Sequence, residues 1–362
     1  MPFKYNPPTT TECDVCNSLP DRKPIIDSQS GKASSSKLHP FHNWYYFVLG
    51  FSPSFPEYVL KKENASKSTF VADPFAGSGT TLISCKEKGI KSVGIEANDF
   101  FLYTAKTKLE WSLSEIVLKK HKRKALDLID KELKTLNKNK YKKVRPEMLT
   151  ERYISDAPYM KLMAIKDALI KMNLKDKEKD FFYLALYSTI LPSSNVKYGP
   201  GFGIGKIKTD EDVIGVFEKK LDTMISDISS INKKNLNTVA ETILGDSRDM
   251  SLYVDKNSID LMITSPPYPG DHEYTKHSRL ELIFSEMAQD LHQFREIKKR
   301  MIRGSTTNIY KNDNERDLVK HFDSIKKITD EIERRLLRDN ATSGFEKLYT
   351  KLVWEYFGGM YK

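Results

Sequence analysis

Residues 264–270, Thr-Ser-Pro-Pro-Tyr-Pro-Gly, directly follow the apolar run Ile259 to Ile263, so a buried strand should end here in a polar turn tipped by an aromatic ring. The prolines fix φ and remove backbone donors, which makes the turn stiff and leaves its carbonyls as acceptors. Ser265 adds a hydroxyl, and Tyr268 offers a ring face for stacking. A planar ring bearing an amino group fits such a turn, with Ser265 and the Pro266 carbonyl taking its hydrogens. Pro-rich turns after strands are common, so this one decides nothing alone.

A second constellation lies upstream. The β-rich run Thr69 to Ala72 leads into Asp73-Pro74-Phe75-Ala76-Gly77-Ser78-Gly79-Thr80-Thr81, then a helical stretch Leu82 to Lys88 closed by Gly89. Gly77 and Gly79 allow backbone N–H groups to approach a ligand at a helix N-terminus. The next strand, Ser92 to Ile95, ends in Glu96, completing a right-handed βαβ unit in which Glu96 can accept two ribose hydroxyl protons. Strand character returns at Thr238 to Leu244, followed by Gly245-Asp246-Ser247-Arg248-Asp249. Ligands of open α/β sheets bind beyond the carboxyl ends of the strands, so these polar ends should meet at one crevice. Asp246 could alternatively cap a following turn, and Arg248 could pair with Asp249 or with a phosphate.

Around these motifs the chain divides into a flexible arm at 1–36, an α/β core at 37–100 and 237–270, a helical insertion at 101–236, and a helical region at 271–362 that is a candidate DNA-facing or recognition segment. Apolar residues recur at helical spacing in Leu126 to Leu136, Met160 to Met172, Phe181 to Leu191 and Val213 to Ile228. After Tyr268, helices are expected over Ser278 to Phe294, Glu315 to Leu337 and Ser343 to Tyr361. An aromatic segment, Leu38 to Leu60, should hold a short helix and then a second beginning near Pro56. The glycine run Tyr198 to Lys206 is not a phosphate loop, because Pro200 replaces its first glycine and Ile207 its magnesium-binding hydroxyl. As a loop flanked by Asn195, Lys197 and Lys206 it could still meet DNA.

The net charge of +10 favours a polyanionic partner, although Lys119 to Lys124 and Lys138 to Lys143 also fit a solvated helix face. No apolar stretch reaches the roughly 18 residues needed to span a bilayer, and no basic-then-apolar leader opens the chain, so a cytoplasmic protein without membrane attachment is expected. Cys13, Cys16 and Cys85 are too few for a disulfide framework, and the spacer between Cys16 and His39 is long for a zinc finger.

At the two central motifs the chain resembles the amino-methylating DNA methyltransferases, whose glycine motif D-P-F-x-G-S-G-T-T and catalytic motif S-P-P-Y are both matched in full. The segment with His39-Pro40-Phe41 and the stretch Asp271 to Leu282 are looser matches. The resemblance implies a Rossmann-like class I sheet that depends on S-adenosylmethionine. Asp73, Phe75, Gly77 and Gly79 would surround its methionine part, Glu96 would take the ribose and Asp246 the adenine edge, with Phe41, Ser78, Thr80 and Ser247 also binding the cofactor. Ser265, Pro266, Pro267 and Tyr268 would be catalytic, with no metal required. Lys276, His277 and Arg279 would be a solvated helix face or contacts to the DNA backbone.

Ser before Pro-Pro is typical of cytosine-N4 enzymes in this family, so the expected activity is site-specific methylation of duplex DNA at cytosine N4 in a restriction-modification system, with a cognate restriction endonuclease as functional partner. The alternatives are adenine-N6 methylation, RNA guanine-N2 methylation, and an inactive or split fragment serving as a DNA-binding subunit. The family's sheet runs 3-2-1-4-5-7-6, and only strands 3-2-1-4 are legible. A truncated or split enzyme is therefore expected, with strands 5–7 on a second polypeptide or a missing segment.

Overall fold

The computed structural model describes residues 39–135, 138–198, 202–231, 233–270, 272–340 and 343–362. The expected arm at 1–36, with Cys13 and Cys16, lies outside them.

A parallel sheet positions the site. Its strands are β1 (Phe70–Asp73), β2 (Lys91–Glu96), β5 (Ala240–Leu244) and β6 (Leu261–Met262), in the order β5-β2-β1-β6. In register, Ala72 sits beside both Val93 and Met262, and Glu96 beside Leu244. β1 and β2 are buried almost throughout, as parallel strands covered on both faces must be. This is the α/β arrangement expected, and among the described residues the sheet is the partial 3-2-1-4 set. The edge strand β6 is only a two-residue ladder and leaves Met262 52% exposed.

Between β1 and β2 runs α2 (Thr80–Glu87), following α1 (Ser54–Lys62). Gly79 stands at the N-cap of α2 with φ +88°, a left-handed conformation in which a side chain would be strained. On β2, a Cβ at Gly94 would lie 2.6 Å from the Ala76 Cβ, so only glycine lets the β1–α2 turn fold down onto the neighbouring strand.

The expected helical insertion consists of α3 (Asp99–Leu109), α4 (Glu115–Lys134), α5 (Lys138–Lys143), α6 (Asp156–Lys171), α7 (Asp176–Ser193) and α8 (Val213–Ser229). Their apolar faces join one hydrophobic cluster with Phe41, Trp44, Leu82 and the stretch Leu280 to Phe284. Asp227 on α8 accepts hydrogen bonds from the Phe41 backbone at 3.0 Å and from the Trp44 indole at 2.8 Å, which ties the aromatic segment to the insertion.

Some local expectations change. The glycine run expected as a loop is flanked by an antiparallel hairpin, β3 (Val196–Tyr198) with β4 (Phe202–Ile204); residues 199–201 between them lie outside the described set. Asn195 is buried and its amide bonds back to the Arg152 carbonyl and to Ser155, so it fixes the hairpin's base rather than facing a ligand. The helix expected over Ser278 to Phe294 is broken into α9 (Arg279–Phe284) and α10 (Leu291–Lys299), because Glu286 takes φ +66° and Asp290 caps the second helix. α11 (Asp323–Arg338) and α12 (Gly344–Tyr361) follow. The basic run on α4 is partly neutralised, since Lys119 pairs with Glu115 and Lys122 with Glu218 and Asp222.

Candidate active site

The turns after the neighbouring strands β1 and β6 both line a cavity of about 850 Å³, counting its open mouth. Of the residues expected at the site, Phe75, Gly77, Ser78, Thr80, Glu96 and Ser247 line it together with Ser265, Pro266, Pro267 and Tyr268. Gly77 adopts φ +52° and donates its N–H to Glu96 Oε2 at 2.7 Å, while Asn98 N–H donates to Glu96 Oε1 at 2.7 Å. The carboxylate is thereby aimed along the cavity with lone pairs to spare. Burial raises its pKa to about 7, against the pull of those two N–H groups.

Asp73, Gly79, Phe41 and Asp246 are not among the lining residues. Asp73 is buried behind the turn, where its carboxylate accepts from Thr81 Oγ1 at 2.6 Å, Thr264 Oγ1 at 2.7 Å and Phe75 N–H at 3.0 Å. Burial nevertheless raises its pKa. Gly79 packs its α-carbon against Ala105. Phe41 lies in the core with its ring 4.9 Å from that of Trp111. Asp246 caps the short 3-10 helix Ser247–Leu252 by accepting from Arg248 N–H, and its carboxylate is gripped by the Arg248 guanidinium at 2.5 Å. Arg248 thus pairs with Asp246 instead of Asp249, which pairs with Lys362. Ser247 donates its hydroxyl to the Pro74 carbonyl and draws the β5 end against the glycine turn.

The catalytic-type turn is braced from below. Tyr268 donates its N–H to Tyr274 Oη at 3.0 Å, and Tyr349 of α12 donates its hydroxyl to the Pro269 carbonyl at 2.9 Å. With its backbone held, the Tyr268 side chain stays 57% exposed, available to stack on a ring from solvent.

Sequence reasoning missed several walls. Phe47 and Phe51 come from the aromatic segment already suspected, and Phe101 from the first turn of α3. Tyr274 lies in the looser match Asp271 to Leu282 without having been expected at the site, and the segment Arg300–Met301–Ile302 carried no periodic or motif signal. Arg300 reaches the β2 end by donating Nε to the Ala97 carbonyl at 3.1 Å and pairing with Asp99. In the stretch after the turn, His277 is buried and its pKa falls to about 4 through burial, so it is not the solvated or DNA-facing residue expected there. Arg279 lies over the Tyr153 and Phe294 rings, 5.8 Å from each.

The cavity suits a nucleoside-bearing cofactor: a buried carboxylate at the β2 end, held by the Gly77 N–H, and apolar walls from Phe47, Phe75 and Ile302. The fold and this cleft define a Rossmann-like methyltransferase architecture with a partial sheet. Residues 31–107 match the family model described as DNA methylase of the N6/N4 type. The type II methyltransferase M.BsoBI of Geobacillus stearothermophilus is 27% identical over 297 residues, 73% of this chain and 56% of that enzyme. The type II methyltransferase M.MjaII of Methanocaldococcus jannaschii is 34% identical over 114 residues, 32% of this chain and 20% of that enzyme. The chain therefore matches little more than half the length of one curated relative and a fifth of the other. No solved structure matches. With its two motifs on one cavity, the chain is similar to the amino-methylating DNA methyltransferases over the matched stretches. No helix among the described residues is long and apolar enough to cross a membrane.

Proposed function

We propose that this chain carries the cofactor-binding and catalytic part of a site-specific DNA methyltransferase that methylates cytosine N4 in duplex DNA, using S-adenosylmethionine. The observation that supports the reading is that Glu96, Gly77 and the turn Ser265–Tyr268 line a single cavity. When bound, the cofactor would supply an electrophilic methyl on a sulfonium, already attached to a good leaving group. What remains for the protein is positioning.

Glu96 would accept the ribose hydroxyls, and the Gly77–Thr80 turn would cradle the methionine part. The target base would be rotated out of the duplex, at a cost of about a few kcal/mol, and stacked on Tyr268. Ser265 Oγ and the Pro266 carbonyl would accept its amino hydrogens and turn the nitrogen lone pair toward the methyl. Those two acceptors would also give the surplus amino proton a path toward solvent once the methyl had been transferred. Cytosine is favoured because Ser265 supplies a neutral hydroxyl where Asp or Asn is typical of adenine enzymes in the family resembled. The type II methyltransferases among the relatives support a restriction-modification setting, for which we propose a cytoplasmic location and a cognate endonuclease as functional partner.

Ser265→Ala and Tyr268→Ala test the site. Both should abolish methyl transfer while leaving S-adenosylmethionine affinity within about threefold of wild type, the pattern of groups that act only in the chemical step. Full transfer by both variants would remove these residues from the mechanism.

A further inference from the structure

Arg248 does more than pair with its neighbour. Its Nη1 holds Glu315 Oε1 at 2.6 Å, its Nη2 donates to the Lys299 carbonyl at 2.7 Å as well as to Asp246, and its Nε bridges both Asp246 oxygens at 2.9 and 3.1 Å. Every arm of the guanidinium is therefore used, and the side chain is only 8% exposed. The partners belong to separate parts of the chain: the end of β5, the end of α10, and the 3-10 turn Glu315–Leu318.

The α12 helix is fitted to this joint. A Cβ on Gly358 would lie 2.2 Å from the Glu315 carbonyl carbon, and one on Gly359 would lie 3.5 Å from Arg248 Cδ. Gly358 thus lets the last helix lie against the backbone of Glu315, with Gly359 in ordinary contact distance of the stem of Arg248. The segment that Arg248 holds at Lys299 runs directly into Arg300, Met301 and Ile302, which form the outer wall of the cofactor cavity. Arg300 fastens the other end of that wall to Ala97 and Asp99 beyond β2. The wall therefore joins the end of β5, through Arg248, to the end of β2, whose Glu96 lines the cavity.

We infer that Arg248 is a positioning residue for cofactor binding: by joining Asp246 to Lys299 and Glu315 it holds the 300–302 wall closed over the nucleoside end of the cavity. The inference rests on the cofactor reading of that cavity. It assigns Asp246 an indirect part, since its carboxylate orients Arg248 from outside the lining. Lysine cannot replace the forked guanidinium, because a single ammonium cannot serve Asp246, Glu315 and the Lys299 carbonyl in one plane.

The test is calorimetric titration of S-adenosylhomocysteine into the full chain carrying Arg248→Met, Arg248→Lys or Glu315→Gln, with folding checked by thermal melts. For Arg248→Met the dissociation constant should rise about tenfold, and for Arg248→Lys and Glu315→Gln by about threefold. At saturating S-adenosylmethionine kcat should stay within about threefold of wild type while KM for that cofactor rises, a split that general destabilisation does not produce. If Arg248→Met does not fold, the Lys and Gln variants carry the same test. Wild-type binding with unchanged affinity in the folded variants would overturn the role of Arg248. Absence of binding by the wild type would overturn the cofactor reading itself, and the inference with it.

Discussion

Thr264 Oγ1 donates to Asp73 Oδ1 at 2.7 Å, so the residue that opens the catalytic-type turn is fastened to the last residue of the strand that opens the glycine turn. The two motifs are far apart in sequence, yet a buried carboxylate sets their separation. Thr264→Val keeps the shape of the side chain and removes the donor. It should cost about 1 kcal/mol of stability and lower kcat while leaving cofactor affinity unchanged. Chemical denaturation and single-turnover kinetics would check this; an unchanged kcat would mean that the turn holds its place without Asp73.

Glu96 carries a pH prediction. Burial raises its pKa to about 7 from an ordinary 4.5. In the unliganded protein the folded state therefore binds a proton that the unfolded chain has lost, and this contribution to stability falls as pH rises from 4.5 through 7. Ribose hydroxyls donate to the ionised form, so cofactor binding should run the other way. The dissociation constant for S-adenosylhomocysteine should rise about tenfold from pH 8 to pH 6, and Glu96→Gln should bind weakly with a flat profile. A wild-type profile as flat as that of the variant would separate Glu96 from the ribose.

Glu355 offers a separate check on the packing beneath Arg248. It is fully buried, and its carboxyl is pushed above the usual range by burial and then by the neighbouring Glu315 and Asp313, against a hydrogen bond from the Arg316 N–H. A raised acid contributes stability at low pH that is lost as pH climbs through its folded pKa. Glu355→Gln removes that titration, and its amide can donate to Glu315 Oε2, which has no partner among the described residues. The variant should be more stable than wild type at pH 8 by about 1 kcal/mol and should show a smaller loss of stability between pH 5 and pH 8. Melting curves across that range decide it; a variant less stable at pH 8 would mean that the carboxylate is satisfied there.

What could be read in the sequence follows from where the information is local. The glycine turn and the Ser265–Tyr268 turn are short motifs whose backbone demands are written in Gly and Pro, and the four strands of the partial sheet follow from β-rich runs that each end in a polar residue or turn. The helices of the insertion follow from helical spacing over long stretches. Asp73 is the instructive residue: its type and place in the motif suggested contact with a ligand, but its oxygens are taken up by Thr81, Thr264 and Phe75. Arg300 to Ile302 were illegible because a cavity wall contributed by a distant, aperiodic segment depends on tertiary partners such as Ala97 and Asp99. The break at Glu286 was missed because a left-handed residue other than glycine leaves no compositional mark.

The central claim is amino methylation of duplex DNA at the cavity shared by Glu96 and Ser265. Purified full chain would be incubated with S-adenosylmethionine carrying a labelled methyl group and with duplex DNA of mixed sequence, and the nucleosides from digested DNA separated by mass. The expected result is label in N4-methylcytosine, lost in Ser265→Ala. Label in N6-methyladenine would contradict the assignment of the base, and unlabelled DNA from a chain that binds both cofactor and duplex would contradict the claim of catalysis by this chain.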